Sequence, residues 1–165
     1  MASLLHIAVG LAAGRLYMGR PALLAAAGFS ALSMLPDADV IAFALDIPYS
    51  DPFGHRGASH SIAFAAGMGM LIGLLSRRLR LGLLVAAVVA SHPLLDSLTD
   101  GGLGVALLWP WDDARLFAPW RPIPVSPIGA SFLSARGLSV VLAELLPSLP
   151  LLVYGFWPAR SQKSA

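Results

Sequence analysis

From Leu79 to Leu98 the chain is almost unbroken apolar sequence, close to the ~20 residues that cross a bilayer as a helix, yet its last turns carry His92 and Asp96. On a helix that spacing stacks the two side chains on one face, one turn apart. An ionisable pair at the end of an apolar segment is expensive to keep there. It is either a buried hydrogen bond that pins the helix end or a pair of metal ligands. The motif itself, Ser91-His92-Pro93-Leu94-Leu95-Asp96-Ser97-Leu98-Thr99-Asp100-Gly101-Gly102, leaves both readings open.

Four further apolar segments can be marked, at about Ser3 to Met18, Pro21 to Leu35, Ser59 to Ser76 and Gly137 to Trp157. Only 12% of the chain is charged and its mean hydropathy is +0.75, whereas soluble domains carry about 25% charged residues. So few charges cannot cover a water-facing surface, and lipid becomes the solvent for much of the exterior. These features predict an all-α integral membrane bundle of about five helices, forming one domain over residues 1–160 with a disordered tail at 161–165. The first two segments are short for a full crossing, so whether they span or dip is open. His6 and the lack of a positive n-region argue that the first run is retained rather than cleaved. Gly10 with Gly14 and Gly69 with Gly73 are small-residue pairs that permit close helix packing in lipid, although such pairs also arise by chance in an Ala/Gly-rich chain. Without cysteine, neither a disulfide nor a thiolate metal site is available.

Arginine placement orients the bundle. With the N-terminus outside and all five segments crossing, Arg15, Arg20, Arg77, Arg78, Arg80, Arg160 and Lys163 fall inside, as the positive-inside rule asks. The basic excess therefore tracks topology and does not form a nucleic-acid patch. In the same arrangement His6, His55, His60 and His92 all converge at the outer face, together with Asp37, Asp39 and Asp96. Scattered structural histidines would have no reason to converge, which favours metal ligation.

Residues 99–136 hold Trp109, Trp111 and Trp120 among several prolines. Tryptophan favours the headgroup level and proline favours irregular chain, so this stretch reads as a Trp/Pro-rich outer cap. Val40 to Ile47 reads as a short interfacial helix. Ser59 or Ser61 is placed to cap the third long helix, and Asp46, Asp51, Asp112 and Asp113 read as solvated turn residues.

His6, Asp37, Asp39, His55, His60, His92 and Asp96 make a nitrogen–oxygen donor set suited to zinc or manganese. They exceed what one tetrahedral ion uses, which points to two or more divalent metal ions able to activate water. Asp37 as a plain helix cap is the bland alternative. Arg56 is placed either to grip a phosphate or to pair with a nearby aspartate. Glu144, two turns into the last segment, is a candidate extra ligand or base. Thr99 and Asp100 are candidates to support a ligand imidazole or simply to end the helix.

The ordered set His6, Leu35-Pro36-Asp37-Ala38-Asp39, His55-Arg56-Gly57-Ala58-Ser59-His60-Ser61 and the His92/Asp96 motif resembles the YdjM-like family of bacterial inner-membrane proteins, to which a metal-dependent hydrolase activity is ascribed. The likeness runs from residue 6 to about 125, where Trp109-Pro110-Trp111 and Pro122-Ile123-Pro124-Val125 also match; Ser59 stands where the family often has threonine. A more distant similarity is to helical zinc phosphoesterases built on His and Asp clusters, an analogy at the level of fold.

The resemblance and the residues together imply a metal-dependent hydrolase of the inner membrane with its site on the periplasmic side. Its substrate would be a phosphoester or ester of a lipid or lipid-linked molecule, and nucleic acid is not an expected partner. The rival class is a non-enzymatic membrane protein with a structural metal centre or an ion-relay role. Oligomeric state is not readable from the chain.

Overall fold

The computed structural model describes residues 3–158. The tail expected at 161–165, with Arg160 and Lys163, lies outside them. Among the described residues there are five long helices and no β-strand, only two isolated bridges, Thr99 to Ile123 and Val105 to Leu116.

Helix α1 covers Ser3–Met18 and α2 covers Leu23–Met34. The second apolar segment does not stop near Leu35, as the sequence suggested. It runs on through a 3₁₀ stretch, Leu35–Val40, into a last turn α3, Ile41–Ala44. Pro36 sits in the first turn of the 3₁₀ stretch, where its missing N–H costs little, so the rod passes the proline without breaking. The supposed separate helix at Val40 to Ile47 is the end of that rod. Helix α4 covers Ile62–Ser76, starting later than Ser59 because Ala58–His60 winds as a 3₁₀ turn. Helix α5 covers Leu79–Ser97 and α6 covers Ala135–Phe156.

Among the described residues three stretches are long and apolar enough to cross a membrane: Leu23–Ala44, Leu79–Ser97 and Ala135–Phe156. Helices α1 and α4 are shorter. Leucines 23, 24, 74, 75, 79 and 146 are each more than two-thirds exposed, as expected of side chains whose solvent is lipid. Inside, Ala13, Phe29, Ala65, Val85, Val88 and Val89 form the main apolar core.

Two hairpins, α1–α2 and α4–α5, make the frame; α2 and α1 both touch α5, and α6 packs along α1. The hairpins close on the glycine pairs. A Cβ on Gly10 would collide with the backbone of Ser30, and one on Gly14 would lie 2.6 Å from the Ala26 nitrogen. Gly69 likewise faces Gly82, with the carbonyl oxygen of Gly82 2.6 Å from any added Cβ. By contrast Gly28 and Gly67 have open space around them. Gly10→Leu should therefore cost about 1–3 kcal/mol or more of stability through overpacking, while Gly28→Ala should be neutral or better. Unfolding in detergent reads both, and equal stability of the two variants would show that the α1–α2 contact is not held by this close approach.

One end of the bundle gathers arginine. Arg15 Nε donates to the Trp157 carbonyl at 2.9 Å and Arg78 donates to the Tyr17 hydroxyl at 3.1 Å. The opposite end is closed by the irregular stretch after α5. There Arg115 spans three carbonyls, those of His55 at 3.0 Å, Tyr49 at 3.1 Å and Asp51 at 2.8 Å. Ala106 N donates to the Arg56 carbonyl and Ile62 N to the Leu107 carbonyl. The cap is thus stitched to the loop that delivers His55, Arg56 and His60.

Candidate metal centre

The start of α1, the end of α2, the start of α4 and the end of α5 meet under the cap, and each brings one or two polar side chains into an apolar interior. His6, His60, His92 and Asp96 are fully buried, His55 and Arg56 nearly so, and Asp37 is 6% exposed. At the entry to α4, Ser61 accepts from Phe64 N at 3.0 Å and donates to the Ala58 carbonyl at 2.7 Å. This cap fixes where the helix begins and so where His60 sits.

Asp37, His60, His92 and Asp96 each offer one ligand atom, all within 4.8 Å of one another. The pairwise distances have a recognisable form. His60 Nε2 lies 3.2 Å from His92 Nε2, and Asp37 Oδ1 lies 3.6 and 3.3 Å from the same two nitrogens. Asp96 Oδ2 lies 3.6 Å from His60 Nε2 and 3.9 Å from His92 Nε2. A tetrahedral ion with bonds of about 2.0–2.1 Å has ligand-to-ligand edges of roughly 3.3–3.4 Å. The buried cluster could therefore hold a metal ion.

The outer ring nitrogens say which way each imidazole is turned. His92 Nδ1 is 2.7 Å from the carbonyl oxygen of Ser33, which can only accept, so Nδ1 carries the proton. His60 Nδ1 is 3.1 Å from Asp39 Oδ2. Both neutral rings then direct an Nε2 lone pair at the centre, the arrangement in which a carbonyl or carboxylate orients a ligand histidine. Two such lone pairs 3.2 Å apart repel unless a positive charge sits between them. In the absence of an ion the His60 proton plays that part. Burial pushes the imidazole down, but the Asp37, Asp39 and Asp96 carboxylates gathered 3.1–3.6 Å around it outweigh that and hold the pKa up at about 10.

The two aspartates of Asp37-Ala38-Asp39 differ sharply. Both carboxylate oxygens of Asp37 are buried without a hydrogen bond, an unstable state for an anion unless a cation completes it. Asp39 is saturated instead: His55 Nδ1 at 2.6 Å, Arg56 N at 3.0 Å and Ser59 Oγ at 2.6 Å, besides His60. Asp39, His55 and His60 form a second potential metal-holding group that shares His60 with the first.

The remaining candidates are placed as follows. His6 stacks on His92 with ring centroids 3.9 Å apart, and its Nε2 is 3.5 Å from Asp96 Oδ1; neither ring nitrogen makes a hydrogen bond. Arg56 places Nε 3.0 Å from Asp96 Oδ2 and donates to Gly101 O at 3.0 Å and Thr99 Oγ1 at 3.1 Å. Of the two uses weighed for it, the aspartate partner is the one its geometry displays. Thr99 consequently supports the guanidinium rather than an imidazole, and Asp100 accepts from Val125 N in the cap. Asp51 and Asp112 each close a turn onto the amide two residues on.

Glu144 does not join the cluster. Its Oε2 accepts from Leu4 N at 2.7 Å and Leu5 N at 3.2 Å, satisfying amide groups in the first turn of α1 and complementing its dipole. Glu144→Ala should cost about 0.5–2 kcal/mol, in the range of a lost helix cap, and leave metal content unchanged. Parallel unfolding and elemental analysis of that variant would catch the opposite result, loss of metal, which would return Glu144 to the site. The sequence signalled neither this role nor that of Arg115, because a distant backbone acceptor or donor leaves no mark on spacing.

Among known proteins, the family model described as YdjM inner membrane protein matches residues 1–161. The chain is also similar to a protein of Escherichia coli (strain K12) described as Inner membrane protein YbcI, 41% identical over 140 residues that cover 78% of this chain and 81% of the relative. No solved structure matches.

Proposed function

The chain belongs to the YdjM inner membrane protein family, and from that premise we propose that it is a membrane-bound metal-dependent hydrolase carrying one divalent ion, zinc before manganese, on Asp37, His60, His92 and Asp96. The observation that carries this reading is a buried set of two Nε2 atoms and two carboxylates, all within 4.8 Å of one another, with Asp37 accepting no hydrogen bond. One ion, rather than the two or more that a seven-residue donor count invites, suits an Asp39 already engaged in three hydrogen bonds. When bound, such an ion would polarise a phosphoryl or carbonyl oxygen and acidify a water.

The surrounding residues have separable tasks. Asp39 and the Ser33 carbonyl orient His60 and His92. Arg56 offsets the charge of Asp96 and ties it to the turn after α5. His6, beside Asp96 and without a hydrogen bond, is the group left to move a proton. The substrate is a phosphoester or ester of a lipid or lipid-linked molecule, a reading supported by a site at one end of a bundle whose flanks are leucine. Placement in the inner membrane rests on the family and the YbcI likeness. A periplasmic-facing site rests on the arginines gathered at the other end.

The test is elemental analysis of protein purified in detergent without chelators, followed by phosphate release from lipid phosphates and phospholipids. About one zinc or manganese ion per chain, with hydrolysis lost on chelation and restored by the ion, is the expected result. A protein that holds no metal under these conditions would instead be an ion relay, and one that holds metal but cleaves nothing would carry a structural centre.

A further inference from the structure

Two cavities flank the centre, and the same chain segment walls both. One, of about 400 Å³, is lined by Ile7, Met34, Phe132 and Val141 around the Asp37 side chain. The other, of about 460 Å³, is lined by Tyr49, His55, Arg56 and Ser131. Ser126 and Pro127 line both. Each volume lies within the range of small-molecule sites, roughly 300–1,000 Å³.

Their chemistry is opposite. The first is mostly apolar, its charged member being Asp37, whose buried oxygens accept no hydrogen bond. The second is lined by Arg56, whose guanidinium has five N–H donors and, among the described residues, contacts Asp96, Gly101 and Thr99, so donors remain. Burial pushes the Tyr49 phenol above its ordinary value, which keeps it a hydroxyl donor beside that guanidinium.

We propose that the two cavities are the chain and headgroup subsites of one site for an anionic amphiphile with a hydrocarbon tail and a phosphate-type head. The tail occupies the space among Ile7, Met34, Phe132 and Val141, and the head lies against Arg56, Tyr49 and His55. The linkage between them passes beneath Ser126-Pro127, alongside Asp37. The cleavage such a ligand would undergo rests on the hydrolase reading; its binding does not.

Binding of octyl phosphate, butyl phosphate and inorganic phosphate to the full chain in amphipol, read by titration calorimetry, tests this directly. Octyl phosphate should bind about tenfold or more tighter than inorganic phosphate, given the gain per buried methylene. Val141→Trp should erase that advantage and leave inorganic phosphate unaffected. Phe132→Ala should move the preference to longer chains, and it decides the matter if the tryptophan variant fails to fold. Equal affinity across the series, or a preference indifferent to both substitutions, overturns the proposal. Chain-dependent binding without turnover of any member would keep this site and remove the hydrolase reading. Turnover of soluble phosphates without chain dependence would do the reverse.

Discussion

Replacing His92 with alanine should leave a folded, metal-free protein. His92 Nε2 forms three of the contacts among the four clustered ligand atoms, at 3.2 Å to His60, 3.3 Å to Asp37 and 3.9 Å to Asp96. Removing it takes a nitrogen from the set and opens a gap beside the stacked ring of His6. Asp37→Asn is the sharper companion, because it keeps the shape and removes only charge, from a carboxylate that no hydrogen bond satisfies. If the proposed centre is right, both should drop bound metal from about one ion per chain to none and abolish the proposed hydrolysis. Asp39→Asn should behave differently. In the proposed single-ion centre it lies 3.1 Å from His60 Nδ1 and orients that ring, and loss of such a partner typically weakens metal affinity by about 10–100-fold. Elemental analysis with a competing chelator separates the two classes. Full metal occupancy in His92→Ala would sink the assignment, and a fall from two ions to one in Asp39→Asn would replace the single centre by a pair.

The helices were largely legible from hydropathy, because runs that must satisfy every backbone group in lipid have little choice but to be helical. The first segment, Ser3 to Met18, is helical over the span the sequence indicates. The second was misjudged because Pro36 reads as a stop in isolation, while at the head of a 3₁₀ turn it is tolerated. Convergence of the histidines was also visible, since it follows from counting segment crossings. What spacing could not convey was rank among the donors. Asp37 and Asp39 sit two residues apart in one motif, yet one is left without hydrogen bonds and the other has three hydrogen-bond partners, with His60 Nδ1 3.1 Å away. That difference depends on His55, Arg56 and Ser59 arriving from a loop that Arg115 of the cap ties down. The glycine pairs were similar: ambiguous as letters, decisive once Ser30 and Gly82 are set against them.

Arg56→Met should destabilise the protein by about 3–5 kcal/mol. The guanidinium is 1% exposed and lies 3.0 Å from an Asp96 oxygen that is wholly buried. Without it, Asp96 keeps its imidazole neighbours but loses the guanidinium 3.0 Å from its Oδ2. Thr99 Oγ1 and Gly101 O lose a donor as well. The cost therefore reflects a buried carboxylate deprived of its guanidinium more than the net worth of the ion pair, and this yields a test by double substitution. Adding Asp96→Asn to Arg56→Met removes that charge, so it should recover part of the lost stability, while metal binding stays absent because a proposed ligand is gone. Asp96→Asn alone should be less stable than the double variant, since it leaves the guanidinium buried against a neutral amide. Denaturant titration of all four proteins in the same detergent measures the coupling. If Arg56→Met matches the wild type within about 0.5 kcal/mol, the range of ordinary surface substitutions, then Arg56 does not hold Asp96 in place. Should that variant also lose affinity for octyl phosphate, its guanidinium serves the headgroup cavity alone.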